Sequence, residues 1–541
     1  MAIARENDAE RVMLFLVGLL GMGAAYCYDS PSALKSQLQH HFLSIPPAEF
    51  EVYFNLFYTV YSIPNVLLPF IGGILCDRWG SRSMLFVLTS VVLVGQTVFA
   101  FGCSVESMAL MLMGRMTFGL AGETIAVAQC SLVATWFPSH HLALVMGLIQ
   151  TASKLGTALN DELSPLFAYW FHVSIALWIG AFFASISVAV AVLATKLDER
   201  HLSRATSINV STSMKKPFCL LLCSRSFWLV ALAFVALMSV LGPFTNVASS
   251  VLLERDFFKP HPNAACRRCG VGAYANDPSC LNVPAAPCPP SPPFAYPLPY
   301  LPATCTHPNA STCTPSSTTS VAVSPPFLGD FIIDCDDDDW RYNPATINYC
   351  LAKHRALQAA ATPMSLPSLT VALTAPCFGY VVDSVGQRPL LAAGAHLLLL
   401  FEHLLLSWTT VVVAIPMVLQ GLATSLFVSV MWSAIPYCVE DHHVGTAYGL
   451  VTSLWNVGLA IVPVAVAYIV NYTHMYLPSV DNICCLFSCL GLVTCLYLSH
   501  FDRRYCRHSL SRPQMPKFVE ESPLIDRARF HRLSHYGSNF Y

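Results

Sequence analysis

Apolar runs of about twenty residues recur along the chain, at 10–30, 52–75, 83–103, 107–135, 141–165, 174–196, 226–253, 357–382, 389–408, 411–437, 444–470 and 477–500. A helix needs ~20 apolar residues to cross the hydrocarbon core of a bilayer, so the pattern predicts twelve transmembrane helices and an all-α membrane protein. Connections are short except at 197–225 and 257–350. The expected organisation is a six-helix half at 1–196, a linker at 197–225, a second six-helix half at 226–500 interrupted by the 257–350 loop, and a tail at 501–541. The first run is not a cleavable leader. Arg11 precedes it, but no small-residue cleavage site follows, and it continues into Tyr-Cys-Tyr-Asp-Ser-Pro.

Composition strengthens this reading. Only 11% of the 541 residues are charged and 55% are apolar, whereas a soluble domain carries roughly 25% charged residues. So few charges cannot clothe a globule of this size, and membrane lipid must cover much of it. A soluble enzyme is excluded. With a net charge near −2, so is a nucleic-acid partner bound through a basic face.

Lys and Arg fix the expected orientation, because they concentrate on the cytosolic side. Arg78, Arg82, Lys196, Arg200, Arg204, Lys215, Lys216, Arg225, Arg388 and the tail arginines share one side, and the acid-rich 257–350 loop lies on the other. Both termini and the linker are therefore expected in the cytosol, and the loop in a lumen or outside. Glycosylation is expected at Asn309 and Asn471, whereas the sequon at Asn209 falls in the linker. Eight of the 21 cysteines lie in the loop, together with 17 of the 37 prolines. In an oxidising compartment this composition predicts a stapled, irregular excursion. Cys266 and Cys269 have the spacing of a zinc knuckle but no clear partner pair, so disulfides are expected and no metal.

A repeated decapeptide marks the two halves. Gly73-Ile-Leu-Cys-Asp77-Arg78-Trp-Gly80-Ser-Arg82 follows the second run, and Gly379-Tyr-Val-Val-Asp383-Ser-Val-Gly386-Gln-Arg388 follows the eighth. Both read G-x-x-x-D-x-x-G-x-R, which points to an internal duplication. The first glycine lets two helices approach. The aspartate can cap a neighbouring helix N-terminus or pair with arginine, and the second glycine makes a tight turn. The whole would latch two helices on the cytosolic side while the other side is open.

This repeat resembles the signature of the major facilitator superfamily. Within that superfamily, five blocks look like the lysosomal dipeptide carriers of the major facilitator domain-containing protein 1 type. They are Tyr-Cys-Tyr-Asp-Ser-Pro-Ser-Ala-Leu at 26–34, Tyr-Ser-Ile-Pro-Asn-Val at 61–66, Gly-Arg-Met-Thr-Phe-Gly-Leu-Ala-Gly-Glu-Thr-Ile-Ala-Val-Ala-Gln at 114–129, Gly-Thr-Ala-Tyr-Gly at 445–449 and Asn-Val-Gly-Leu-Ala-Ile at 456–461. The 257–350 insertion is not part of the resemblance.

Charges inside spans are rare and usually functional. Glu123 on the fourth run and Lys154 on the fifth lie about equally far from the turn near Pro138-Ser139, which brings an acid and a base to one depth. They could clamp the two ends of a zwitterion, Glu123 taking an ammonium and Lys154 a carboxylate. A static, self-neutralising pair is the alternative. The resemblance implies the clamp, since the family's acid and base fall on these positions, but the family's base is arginine. Arg115 resembles the superfamily's fourth-span arginine and is expected to brace the structure. Tyr28, Tyr61, Asn65, Gln129, Trp432 and Asn456 are further candidates for the pocket. His396, Glu402 and His403 on the ninth run are read as interfacial or paired.

No nucleotide loop, H-E-x-x-H or triad pattern is present, so neither an enzyme nor a cofactor is expected. Glu520-Glu-Ser-Pro-Leu524-Ile525 has the form of an acidic dileucine sorting signal, which implies a sorting adaptor. The resemblance implies uncoupled dipeptide export from lysosomes and a glycosylated accessory membrane protein. Rival readings are a carrier for an organic anion or sugar, and a non-transporting receptor or scaffold that displays the loop.

Overall fold

The computed structural model describes residues 2–42, 45–137, 141–205, 219–258, 300–302, 320–322, 333, 335, 338–343, 346–473, 475–506 and 509–512. Asn209, Asn309, Glu520, Leu524, Ile525, Cys266, Cys269 and four more of the loop cysteines lie outside them.

Among the described residues, eleven helices are long and apolar enough to cross a membrane, and a twelfth crossing is a pair bent by 50°. In chain order the spans are Ala9–Ala33, the pair Val52–Val66 and Leu68–Trp79, then Ser81–Ser104, Met108–Trp136, Leu142–Trp170 and Val173–Glu199 in the first half. Arg225–Phe257, Ile347–Val385, Arg388–Trp408, Ala414–Cys438, Val444–Val470 and Ser479–Tyr505 make the second. The chain is thus an all-helical membrane protein of two six-helix halves, apart from a short antiparallel ribbon pairing Tyr300–Pro302 with Ser320–Ala322. The bend in the second span follows from Pro64 and Pro69, each at the start of a new helical segment. Neither ring can donate to the preceding turn.

The spans are apolar all round, so burial distinguishes protein-facing from outward-facing sides. The third span buries Leu85, Leu88, Val92 and Phe99 while exposing Phe86, Val87, Val94 and Phe101. Some buried serines between helices find their partners within their own span. Ser429 and Ser433, for example, donate to carbonyls one turn back on the tenth span.

The two decapeptides join the halves to each other. Asp77, at the end of the second span, accepts hydrogen bonds from the amides of Gly445 and Thr446 at 2.8 and 2.7 Å, which are the first turn of the eleventh span. Asp383, at the end of the eighth, accepts from the amides of Ala143 and Leu144 at 3.2 and 3.0 Å, the first turn of the fifth. Each carboxylate fills the donor-rich N-terminus of a helix in the opposite half. Gly73 and Gly379 permit the approach. A Cβ at either would stand 2.3 or 2.4 Å from a carbonyl oxygen, of Gly445 or Ala143. Gly80 and Gly386 turn the chain with φ of +86° and +69°, values that side chains rarely adopt.

The motif arginines differ in their roles. Arg388 is fully buried, lies 3.7 Å from Asp383 and stacks over Tyr437. Arg82 pairs at 3.4 Å with Asp198 of the sixth span, within its own half. Arg78 is exposed. Deeper crossing bonds run from the Phe70 amide to Ser453 Oγ and from Thr151 Oγ1 to the Ala372 carbonyl. All these crossings lie on the motif side of the molecule. On the eleventh span, 444–453 is almost entirely buried, whereas Val457, Ile461, Val464 and Tyr468 are exposed.

On the opposite side the eighth span begins at Ile347, ten residues before the expected 357. Its first turns pack Tyr349, Cys350 and Ala356 against Leu253, Phe258, Ile333 and Trp340. A disulfide joins Cys335 to Cys350 across a sequence separation of 15. On the motif side, the chain beyond the twelfth span folds back. Buried Asp502 accepts from Ser511 Oγ at 2.6 Å and from the Leu510 amide at 3.0 Å. The carbonyls of Ser511 and Leu510 accept in turn from the amides of Gln387 and Arg388.

Candidate substrate site

The fourth span is helical over Met108–Gly119 and again over Gly122–Trp136. The break falls in Gly119-Leu-Ala-Gly122 and puts Glu123 in the first turn of the second segment, where the helix dipole favours an anion. Both glycines make room for Tyr61. A Cβ at Gly122 would stand 2.8 Å from the Tyr61 hydroxyl oxygen, and one at Gly119 would stand 2.6 Å from the Tyr61 carbonyl. Tyr61 consequently donates its hydroxyl to Glu123 Oε1 at 3.2 Å, and its ring meets Tyr28 edge-on at 4.9 Å. Asn65 is buried and donates to the Tyr61 carbonyl at 2.9 Å.

Arg115 lies beneath this group with no solvent exposure. It donates to the carbonyls of Cys27 and Tyr28 at 3.3 and 3.1 Å. Tyr28, Tyr58, Tyr61, Phe99 and Phe118 surround its guanidinium, with ring centroids 5.3–6.0 Å away. The side chain holds the first span against the third and fourth.

Lys154, on the fifth span, is half-buried, as is Glu123. Among the described residues no ion pair joins the two. The field of Lys154 instead reaches Asp29 of the first span and Asp161 one to two turns further along the fifth. Asp29 is hydrogen-bonded by Thr157, one turn from Lys154, and also feels Arg115. Sequence reasoning missed Asp29 as a site residue. Its signal was an acid two residues before Pro31 inside an apolar run.

Tyr28, Tyr61, Glu123 and Arg115 therefore form one connected cluster, and Asp29 lies electrostatically between it and Lys154. The other candidates lie outside that cluster. Gln129 donates to the Val17 carbonyl at 2.7 Å and is buried, tying the fourth span to the first. Trp432 packs with Phe234, Tyr448 and Trp455 in the second half, with centroids 5.0–5.4 Å away. Half-buried Asn456 donates to the Thr452 carbonyl of its own helix.

Two six-helix halves latched by a duplicated motif and holding charged groups at mid-depth describe a solute carrier. The chain belongs to the Major Facilitator Superfamily, whose family model matches residues 14–257 and 338–529. Among curated proteins it is similar to the Lysosomal dipeptide transporter MFSD1 of Danio rerio, 26% identical over 508 residues that cover 91% of this chain and 87% of the relative. The protein of that name from Homo sapiens is 25% identical over 504 residues, covering 90% and 85%. Among solved structures, the transporter FucP in the outward conformation superposes with a TM-score of 0.57 at 12% identity, covering 91% of this chain and 99% of that one. The human organic anion transporter MFSD10 gives 0.53 at 14% identity, with coverage of 90% and 99%. Both likenesses confirm the fold.

Proposed function

We propose that this carrier exports dipeptides from the lysosome to the cytosol by alternating access, as an uncoupled uniporter. The halves 1–196 and 226–500 rock about a mid-depth site, with the linker and both termini in the cytosol and the 257–350 loop in the lumen. Glu123 receives the peptide ammonium and Lys154 the carboxylate, while Tyr28 and Tyr61 line the acidic end. Trp432 and Asn456 face the side chains from the second half. The step makes no covalent bond, so neither cofactor nor enzyme chemistry is invoked. Differential binding to the two access states exchanges the open side. With the latches closed on the motif side, the arrangement described above is the lumen-open one.

The observation that carries the reading is a half-buried acid and a half-buried base on adjacent spans, not paired with each other. A self-neutralising pair would have closed. Relatives bearing a dipeptide transporter's name along 90% of the chain support the same substrate class. The tail signal Glu520, Leu524 and Ile525 would engage a sorting adaptor. Glycans at Asn309 and Asn471, with the stapled loop, would shield the lumenal face, alone or with a glycosylated accessory membrane protein.

Uptake of labelled dipeptide into proteoliposomes tests this. Glu123→Ala and Lys154→Ala should each abolish uptake while the protein stays folded. Normal transport by either variant would refute the clamp.

A further inference from the structure

The second half contains a separate set of ionisable groups. Glu402 and His403 on the ninth span and Asp481 in the first turn of the twelfth are each wholly buried. His403 Nδ1 stands 2.8 Å from one oxygen of Asp481, and Ser407 Oγ donates to the other at 2.8 Å. The Phe244 ring of the seventh span closes on the imidazole edge-on, with centroids 5.1 Å apart. Cys484 and Cys485 of the twelfth span lie beside it. Glu402 is different. Among the described residues neither carboxylate oxygen has a hydrogen-bond partner, and the charges that reach it are those of His403 and Asp481.

Of the other basic groups, Arg255 is already engaged, whereas both ring nitrogens of His396 are without a hydrogen-bond partner among the described residues. Arg255, at the end of the seventh span, donates to the carbonyls of Leu406, Thr409 and Val411 and pairs with Asp256. His396 lies further along the ninth span, against Phe427 and the notch at Gly491. With Glu402 and Asp481 both ionised, His403 could neutralise only one of them. A bare carboxylate would then remain in a low-dielectric interior, which strongly disfavours the charged form.

We propose that Glu402, His403 and Asp481 form a proton-binding site, in which Glu402 holds the exchangeable proton beside a His403–Asp481 ion pair. The site lies beneath the ends of the ninth and twelfth spans, on the side that carries the large loop, and Arg255 seals it by fastening the 409–411 connection. It shares no residue with the latches or with Glu123 and Lys154, so it stands whatever the transported solute is. Its proton answers to the pH of the compartment facing the loop. Glu402 is neutral when buried and ionised when the chain unfolds at neutral pH. The folded protein therefore holds one more proton, and stability falls as pH rises above the ordinary carboxylate range.

Infrared difference spectra of the purified full-length protein in lipid nanodiscs test the site. A protonated carboxylic C=O band is expected at neutral pH in the wild type and should be lost in Glu402→Gln. Absence of the band in the wild type, or its survival in the variant, overturns the proposal. Thermal unfolding provides a second readout. Between about pH 5 and 8 the wild-type midpoint should fall with rising pH, and Glu402→Gln should show a slope smaller by one proton, up to tenfold per pH unit in the folding equilibrium. Equal slopes overturn the assignment. If Glu402→Gln does not fold, Glu402→Asp is the second variant: it keeps a carboxyl and should shift the band, and an unshifted band overturns the assignment.

Discussion

Asp77 and Thr446 meet across the two halves of the molecule, the carboxylate of one taking both the backbone amide and the side-chain hydroxyl of the other. Asp383 takes the backbone amides of Ala143 and Leu144, so a carboxylate on a helix N-terminus closes the motif side twice. Asp77→Asn retains the shape and removes the charge from the helix N-terminus. It should weaken the closed arrangement by about 1 kcal/mol, roughly a fivefold change in the balance of access states. Asp383→Asn should weaken it more, because it also leaves buried Arg388 without its counter-charge, and the double variant should show the sum of the two effects. Modification rates of single cysteines placed along the motif-side path check this, the expected result being faster labelling in each variant.

Gly379→Ala should act on the same closure through sterics. Its Cβ would lie 2.4 Å from the Ala143 carbonyl oxygen and 2.6 Å from the Leu144 Cα. Both are backbone atoms that cannot swing aside. The closed arrangement should lose about 1–3 kcal/mol, read as the same increase in labelling. Gly394→Ala is the control. Nothing lies within 4 Å of a Cβ there, and in a helix interior it should stabilise by about 0.5–1 kcal/mol.

Lys154→Arg should tighten the carboxylate end of the clamp. A guanidinium offers two parallel donors where an ammonium offers a point charge. Binding of a dipeptide by calorimetry should strengthen by up to about tenfold, or 1.4 kcal/mol. A dipeptide with an amidated C-terminus should gain nothing. Equal gains for both would place the carboxylate elsewhere.

Arg115→Lys should destabilise the first half. A lysine cannot reach both the Cys27 and Tyr28 carbonyls, and one buried acceptor would be left open at about 1.5–3 kcal/mol. The unfolding midpoint of the purified protein should drop. Dipeptide affinity in the folded fraction should change little.

The latches were legible in the sequence because two copies of one pattern occurred at equivalent places, and each position has a stereochemical duty. Span positions were equally legible, since hydropathy integrates over twenty residues. The start of the eighth span was not. Its first turns carry Lys353, His354 and Arg355, which hydropathy reads as connection, yet Cys350 and Tyr349 anchor them to the loop-side core. In the site, Glu123 and Lys154 stood out as isolated charges. Asp29 and Asp481 did not, because an acid near a proline or a span end looks like ordinary punctuation. The bond from Gln129 to the Val17 carbonyl could not be read either, because it depends on how two helices meet. That relation appears only in three dimensions.

The fold-back held by Asp502 limits how far the tail can reach. The amides of Gln387 and Arg388 pin Leu510 and Ser511 beside the second latch. Only twelve residues separate that anchor from Leu524. Even fully stretched they extend about 40 Å. A sorting adaptor of the kind proposed above, engaging Leu524 and Ile525, would therefore have to work close to the membrane-spanning body, beside the second latch.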